Sequence, residues 1–395
     1  MILGGVLIGY FYTTSNRSKN SDFTVSSNTA YSYTATPTFG TTDRTQGRTI
    51  ETFYGSFYVH EPVLLELFDS PVMQRLKGIR QYGVLYYVDK KEYNRYEHSV
   101  GVWAILRRYG ACLEEQIAGL LHDASHTVFS HVADALFKHT STKNSYQDDI
   151  HEWYLQQQKV PELLAKHGIS LESVMHKSGK HRMAEQDLPD LCADRIEYNL
   201  YGGLLENMIT KNDIEPILQT LKFKDGRWFF TDIMRAQQFS QISLYHTEYV
   251  WGGLSNFVTY KFAAQALRRA VDIKLLSFDD IHFSVDDIVW NKMCQSKDGE
   301  IKTALNNLLH HGGNFIQTDK PTDLVITTKF RGVNPWVLVD GDFKRLTDCN
   351  KAYAQAYGLV KSRVTSGRFV KCLTSNKPVS DRLGYVSQEA LTTAS

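Results

Sequence analysis

Between about residue 60 and residue 275, apolar side chains recur three and four positions apart, the spacing that stripes one face of a helix. Leu64, Leu65, Leu67 and Phe68 form the first stripe, followed by Met73, Leu76 and Ile79. The FYGSFYV stretch before them reads as extended. Gly83 closes the helical pattern, and VLYYVD after it reads as a short extended piece. HSVGVWAILRRYG predicts a helix ending at Gly110. EEQIAGLLHDASHTVFSHVADALFK predicts another, with Ile117, Leu120, Leu121, Ala124, Val128, Val132 and Leu136 as its apolar stripe. Further helices are expected at 150–167, 186–200 and 233–275.

After about residue 278 the pattern changes. LVITTKF at 324–330 and WVLVD at 336–340 read as strands around a Gly-Asn-Pro turn region, and RFVKCLT at 368–374 as a third. His310 and His311, beside two glycines, read as a surface loop. The pattern divides the chain into 1–49, an apolar start and a Ser/Thr-rich linker, then 50–278, a helical domain, then 279–395, a smaller α/β lobe.

The first residues, MILGGVLIGYFY, carry no charge before Arg17. A run of about 12 apolar residues falls short of the ~20 that cross a bilayer, and no basic region precedes it. Three readings stay open: a loose tail, an anchor giving weak membrane association through residues 1–16, or a cleaved signal. A cytoplasmic protein is the expectation, with membrane anchoring the alternative. A formal net charge of +1 gives no sign of a nucleic-acid surface. The five cysteines are scattered and form no CxxC pair, which argues against a disulfide framework and against a thiolate zinc site.

The chemistry concentrates in one region. His122 and Asp123 interrupt an apolar stretch, and two ionisable side chains there must be satisfied if buried. On a helix, neighbours point about 100° apart, so both can lean on one ion. His126 comes four residues after His122, and His131 and Asp134 continue the segment. His98 opens the preceding predicted helix, and Asp194 lies in LCADRIEYNL. Two imidazoles and two carboxylates make a mixed N/O set, suited to Mn, Fe, Ni, Co or Zn more than Ca. A metal held there lowers the pKa of its water toward neutrality.

The segments NRYEHSVGV, IAGLLHDASHTVFSH and ADRIEYNLYGG resemble those of HD-domain phosphohydrolases. The resemblance is to the deoxynucleoside-triphosphate triphosphohydrolase branch, which includes the sterile-alpha-motif HD proteins. SPVMQRLKGIRQYGVLYYV is similar to that branch's lead-in segment, so the likeness covers roughly residues 50–270. It implies a mainly α fold, an HD helical core with a smaller C-terminal α/β lobe. It implies His98, His122, Asp123 and Asp194 as metal ligands. Arg95, Arg195, Tyr198 and Tyr249 match substrate contacts, and His126, Asp134 and His151 match the proton-transfer and phosphate environment. It further implies a nucleotide substrate, most of all a nucleoside or deoxynucleoside triphosphate, Mg²⁺ carried with the substrate phosphates, and a homo-oligomer.

This sequence departs from the branch at several places. HDASHTVFSH lacks the two glycines and the proline usual after the HD pair, which should alter the local turn. Gly202 stands where the branch has a sugar-reading aspartate, and Gln241, Thr247 and Trp251 replace expected phosphate contacts. Two alternatives stay open: a nucleotide sensor without turnover, or an HD-type oxygenase with two irons in which His126 and His131 serve the second ion.

Overall fold

The extended stretch near residue 50 folds back on itself as β1 (Arg48–Thr52) and β2 (Gly55–Val59), an antiparallel pair. Gly55 closes the turn at φ +121°, a region that other residues rarely adopt. The structure is a computed structural model and describes residues 47–137, 145–175, 179–310, 314–318, 320–322, 324–326 and 328–373. The apolar start, most of the linker and His311 lie outside the described residues.

The helix Arg95–Arg108 begins in a capping box, in which the Asn94 side chain accepts from the Glu97 amide and Glu97 reaches back to the Asn94 amide. It buries residues all round, from Arg95 and His98 to Trp103 and Leu106, and so runs through the core rather than along it. Trp103 meets Phe57 and Phe68 edge-on, at ring-centroid distances of 5.6 and 5.0 Å. The helices Leu113–Leu121 and Ala193–Leu205 pack on it. Gly101 makes the second packing possible, because a Cβ there would lie 2.5 Å from Glu197 Oε1.

Several elements differ from the sequence reading. VLYYVD is helical: a 3-10 turn at Gly83–Leu85 runs into a helix at Tyr86–Asp89. Tyr87 stacks on Trp290 at 3.9 Å and fixes that turn from a distant part of the chain. The long helix expected across 114–138 is two helices, Leu113–Leu121 and Val132–Leu136, with turns between. The helix expected from 186 starts only at Ala193, because Pro189 cannot join it and Arg195 Nη1 donates to the Gln186 and Asp190 carbonyls instead. The 150–167 stretch breaks at Lys159, which takes φ +56° before Pro161. The 233–275 stretch is Ile233–Tyr245, a π-turn at His246–Val250, and Leu254–Asp272.

The remaining strands are β3 (Leu221–Lys224), β4 (Arg227–Phe230), β5 (Phe315–Thr318), β6 (Leu324–Ile326), β7 (Trp336–Val339), β8 (Asp342–Arg345) and β9 (Arg368–Cys372). They form two small sheets, ordered β3-β4-β7-β8 and β5-β9-β6. β4 and β7 run parallel, with Phe229 opposite Trp336. One sheet therefore spans the boundary expected near residue 279, and the helix Gly299–Leu309 packs on Leu254–Asp272 across the same line. The fold is mainly α with a small α/β part, as expected. Among the described residues no helix is long and apolar enough to cross a membrane.

Candidate metal centre

His98 sits in the first turn of the Arg95 helix, His122 ends the Leu113 helix, and Asp194 lies in the first turn of the Ala193 helix. Three helix termini thus converge. The His98 and His122 Nε2 atoms are 3.1 Å apart, and Asp194 Oδ1 lies 3.1 Å from the first and 3.6 Å from the second. Asp123 adds oxygens 3.6 Å from His98 Nε2 and 3.5 Å from His122 Nε2. Two nitrogens and an oxygen with their ligand atoms within 4.8 Å of one another form a group that can hold a metal ion. The donor set fits a divalent transition metal.

The ring orientations are fixed from behind. His122 Nδ1 donates to the Gly119 carbonyl at 2.8 Å, which turns Nε2 toward the centre. His98 Nδ1 is paired with Glu197 Oε2, and Tyr93 donates to the same oxygen. Tyr54 donates to Glu197 Oε1 at 3.1 Å. Glu197 is 1% exposed, so this carboxylate is a built component of the site. The sequence reading missed it, although its place three residues after Asp194 puts it on the same helical face.

The electrostatics follow from these contacts. Burial disfavours a charged His98, but Glu197 and the hydrogen bonds to Asp194 and Glu197 outweigh it and push the group up to about 10 without a metal. His122 also moves up, by Asp123 and Asp194 against burial. Asp123 is held well below the usual carboxylate range, because Arg95 and the neighbouring histidines overcome its burial. A dication would take the place of those protons.

A search for related proteins finds an HD domain over residues 95–200. The chain is 32% identical over 323 residues to the protein YdhJ of Bacillus subtilis, covering 81% of this chain and 97% of that one. It is 31% identical over 298 residues to the metal-dependent phosphohydrolase cns2 of Cordyceps militaris, covering 73% of this chain and 84% of that one. The chain belongs to the HD-domain metal-dependent phosphohydrolases. A phosphohydrolase structure from Bacteroides thetaiotaomicron shares the fold, with a TM-score of 0.61 at 14% identity over 82% of this chain and 99% of that one. A shorter match joins this phosphohydrolase to the deoxynucleoside triphosphate triphosphohydrolase SAMHD1 of Bos taurus, 39% identical over 92 residues, or 19% of this chain and 16% of that one. Membership of this family makes the protein a hydrolase acting on phosphate esters.

The other expected residues of this HD phosphohydrolase fall into two groups. Arg95 lies inside the site: Nη1 pairs with Asp123 Oδ2 and Nε donates to Ser130 Oγ at 2.9 Å. His126 Nε2 is 3.2 Å from Asp123 Oδ1, while its buried Nδ1 has no hydrogen-bond partner among the described residues. The His131 ring stands edge-on to it at 5.0 Å and pairs with Asp134 at 3.3 Å. Asp134 Oδ1 also accepts from the Tyr146 amide. His151 Nδ1 meets Ser125 Oγ at 2.9 Å, beneath the turn after Asp123.

Arg195 is committed elsewhere, to the Gln186 and Asp190 carbonyls and to Glu185 at 3.4 Å. Tyr249 is 58% exposed, on the outside of the π-turn. The extra residue of a π-turn rotates the side chains after it around the helix axis, and Trp251 faces Tyr198 instead, at 6.4 Å. Among the described residues the three-donor groups are His98–His122–Asp194 and Glu185–Cys192–Asp194. His126 and His131, expected to serve a second iron, join neither group.

Proposed function

We propose that this HD phosphohydrolase cleaves nucleotides, with a nucleoside or deoxynucleoside triphosphate as substrate, at a phosphate bound by Arg95 beside a metal ion that His98, His122, Asp123 and Asp194 would hold. The observation that carries the reading is the convergence of these four side chains with Arg95, all but the part-exposed Asp194 being buried. The SAMHD1 match supports the substrate class.

A divalent metal bound there would supply Lewis acidity to a phosphate oxygen and to a water. The chain's own groups do the rest. Arg95 offers its planar fork to phosphate oxygens while neutralising Asp123. Burial and the Arg95 charge hold His126 neutral, down to about 3. Its Nε2–H donates to Asp123, so the unpartnered Nδ1 carries the lone pair. That state accepts a proton rather than gives one, and Asp134 and His131 stand behind it. Glu197 keeps the His98 lone pair on Nε2. Tyr198 lies beside Asp194, with the Trp251 ring edge-on to it at 6.4 Å.

Replacing His122 and Asp123 together by alanine should abolish both bound metal and turnover. The assay is elemental analysis with a panel of ribo- and deoxynucleoside mono-, di- and triphosphates, scoring phosphate, pyrophosphate and tripolyphosphate. Full turnover by the double variant would sink the mechanism. Turnover of monophosphates alone would overturn the triphosphate reading.

A further inference from the structure

The turn that comes after the metal ligands is left-handed at two successive non-glycine residues, Phe129 (φ +57°) and Ser130 (φ +56°). Such a conformation persists only where its surroundings hold it. The hold comes from Asp286, far outside the 95–200 segment. Asp286 is 0% exposed and sits at the start of the helix Asp286–Gln295. Its Oδ1 accepts from the Phe129 amide at 2.7 Å and its Oδ2 from the Arg80 amide at 2.8 Å. Ser130 closes the loop: its Oγ donates to the Arg80 carbonyl at 2.9 Å and accepts from Arg95 Nε at 2.9 Å. Three more bonds tie the same region, Val128 N to the Ile281 carbonyl at 3.0 Å and Arg75 to both the Ser284 and the His126 carbonyls.

We infer that Asp286 is a positioning residue for phosphate binding: it fixes the Phe129–Ser130 turn, the turn fixes Ser130, and Ser130 aims the Arg95 guanidinium. The inference rests on the phosphate-site reading above and adds to it a residue that touches neither metal nor substrate. A carboxylate suits this place because it offers two acceptor oxygens to two amides that diverge, which neither a hydroxyl nor an amide side chain can do. With one amide released, the left-handed pair can relax toward ordinary helical turns, and Ser130 Oγ leaves Arg95 Nε. Arg95 keeps its pairing with Asp123 but loses the second bond that sets the plane of its fork.

The test uses the full-length, manganese-loaded protein and inorganic tripolyphosphate as probe, read by titration calorimetry. Asp286→Ala should keep its manganese, since no ligand is touched, and bind tripolyphosphate at least 10-fold more weakly. Arg95→Ala should lose a similar factor, and the Arg95→Ala/Asp286→Ala pair should lose little more than either alone. Should Asp286→Ala fold poorly, Asp286→Asn retains one acceptor oxygen and should show an intermediate loss. A purely structural aspartate would lower the melting temperature and leave the affinity of the folded molecules intact, and that result overturns the inference. Losses that simply add in the double variant overturn the route through Arg95. Failure of the phosphohydrolase reading itself would appear separately, as turnover surviving in the His122→Ala/Asp123→Ala protein.

Discussion

Glu197→Gln isolates the part of the site that the motif does not contain. The buried carboxylate takes three donors: His98 Nδ1–H, Tyr93 O–H and Tyr54 O–H. An amide of nearly the same shape fits, and the close approach of Gly101 leaves it little room to turn. Its NH₂ end cannot accept. If that end faces His98, the ring must move its proton to Nε2, and the lone pair that points at the metal is lost. If the oxygen faces His98, the NH₂ end meets the Tyr54 hydroxyl and the negative charge is still gone. Removal of such a partner behind a metal-bound imidazole typically weakens metal binding by about 10- to 100-fold, or roughly 1.4–2.7 kcal/mol. One effect works the other way. Glu197 is the largest charge raising His98 to about 10, so the variant also gives up its competing proton more easily. The net loss near neutral pH should therefore lie toward the lower end, about 10-fold. The assay is a competition titration of manganese against a chelating dye at neutral pH. An unchanged dissociation constant would refute the argument that Glu197 sets the His98 tautomer.

Two further outcomes test the surroundings. Gly202→Ala lies in a helix interior, where alanine normally gains about 1 kcal/mol. Here its Cβ would stand 2.5 Å from His246 Cε1, and His246 is 1% exposed and cannot step aside. Overpacking of about 1–3 kcal/mol should win, so the urea midpoint should fall, and a raised midpoint would contradict the packing. The metal-free protein should be most stable near pH 6.5. On the acid side, burial holds His126 down to about 3 and His246 and His282 down to about 4, so the unfolded chain binds three more protons between pH 4 and 6.5. Burial pushes Asp286 up to about 7, which opposes this by one proton and leaves a loss of roughly 3 kcal/mol per pH unit on acidification. On the alkaline side the contribution of His98 is present below pH 6.5 and is lost as pH rises to about 10. Manganese should remove that alkaline decline, and equal urea midpoints at pH 5, 6.5 and 9 would refute the assignment.

The residues of the candidate metal centre were legible because each lies in a segment whose local pattern declares it. His98 opens a capped helix at NRYEHSVGV, His122 and Asp123 end an apolar one, and Asp194 starts a third. Helical period and residue chemistry suffice there, since these side chains stand on the first and last turns of helices that form for their own reasons. The turn after Asp123 was different. Its sequence carries no glycine or proline and reads as helix, yet Phe129 and Ser130 are left-handed, held by an aspartate more than 150 residues away in the chain. Local propensity could not show this, because the decisive hydrogen bonds are long-range. The π-turn at His246–Val250 was equally illegible, and it leaves Tyr249 exposed while Trp251 stands edge-on to Tyr198. Arg195 has the residue type of a phosphate contact, but the chain around Pro189 supplies the carbonyls that occupy it. The sequence by itself determined the chemistry of the centre and the helices that carry it. Tertiary structure alone decided how those side chains are aimed, because orientation depends on buried partners such as Glu197, Ser130 and Asp286 that only the packing of distant segments brings within hydrogen-bond reach.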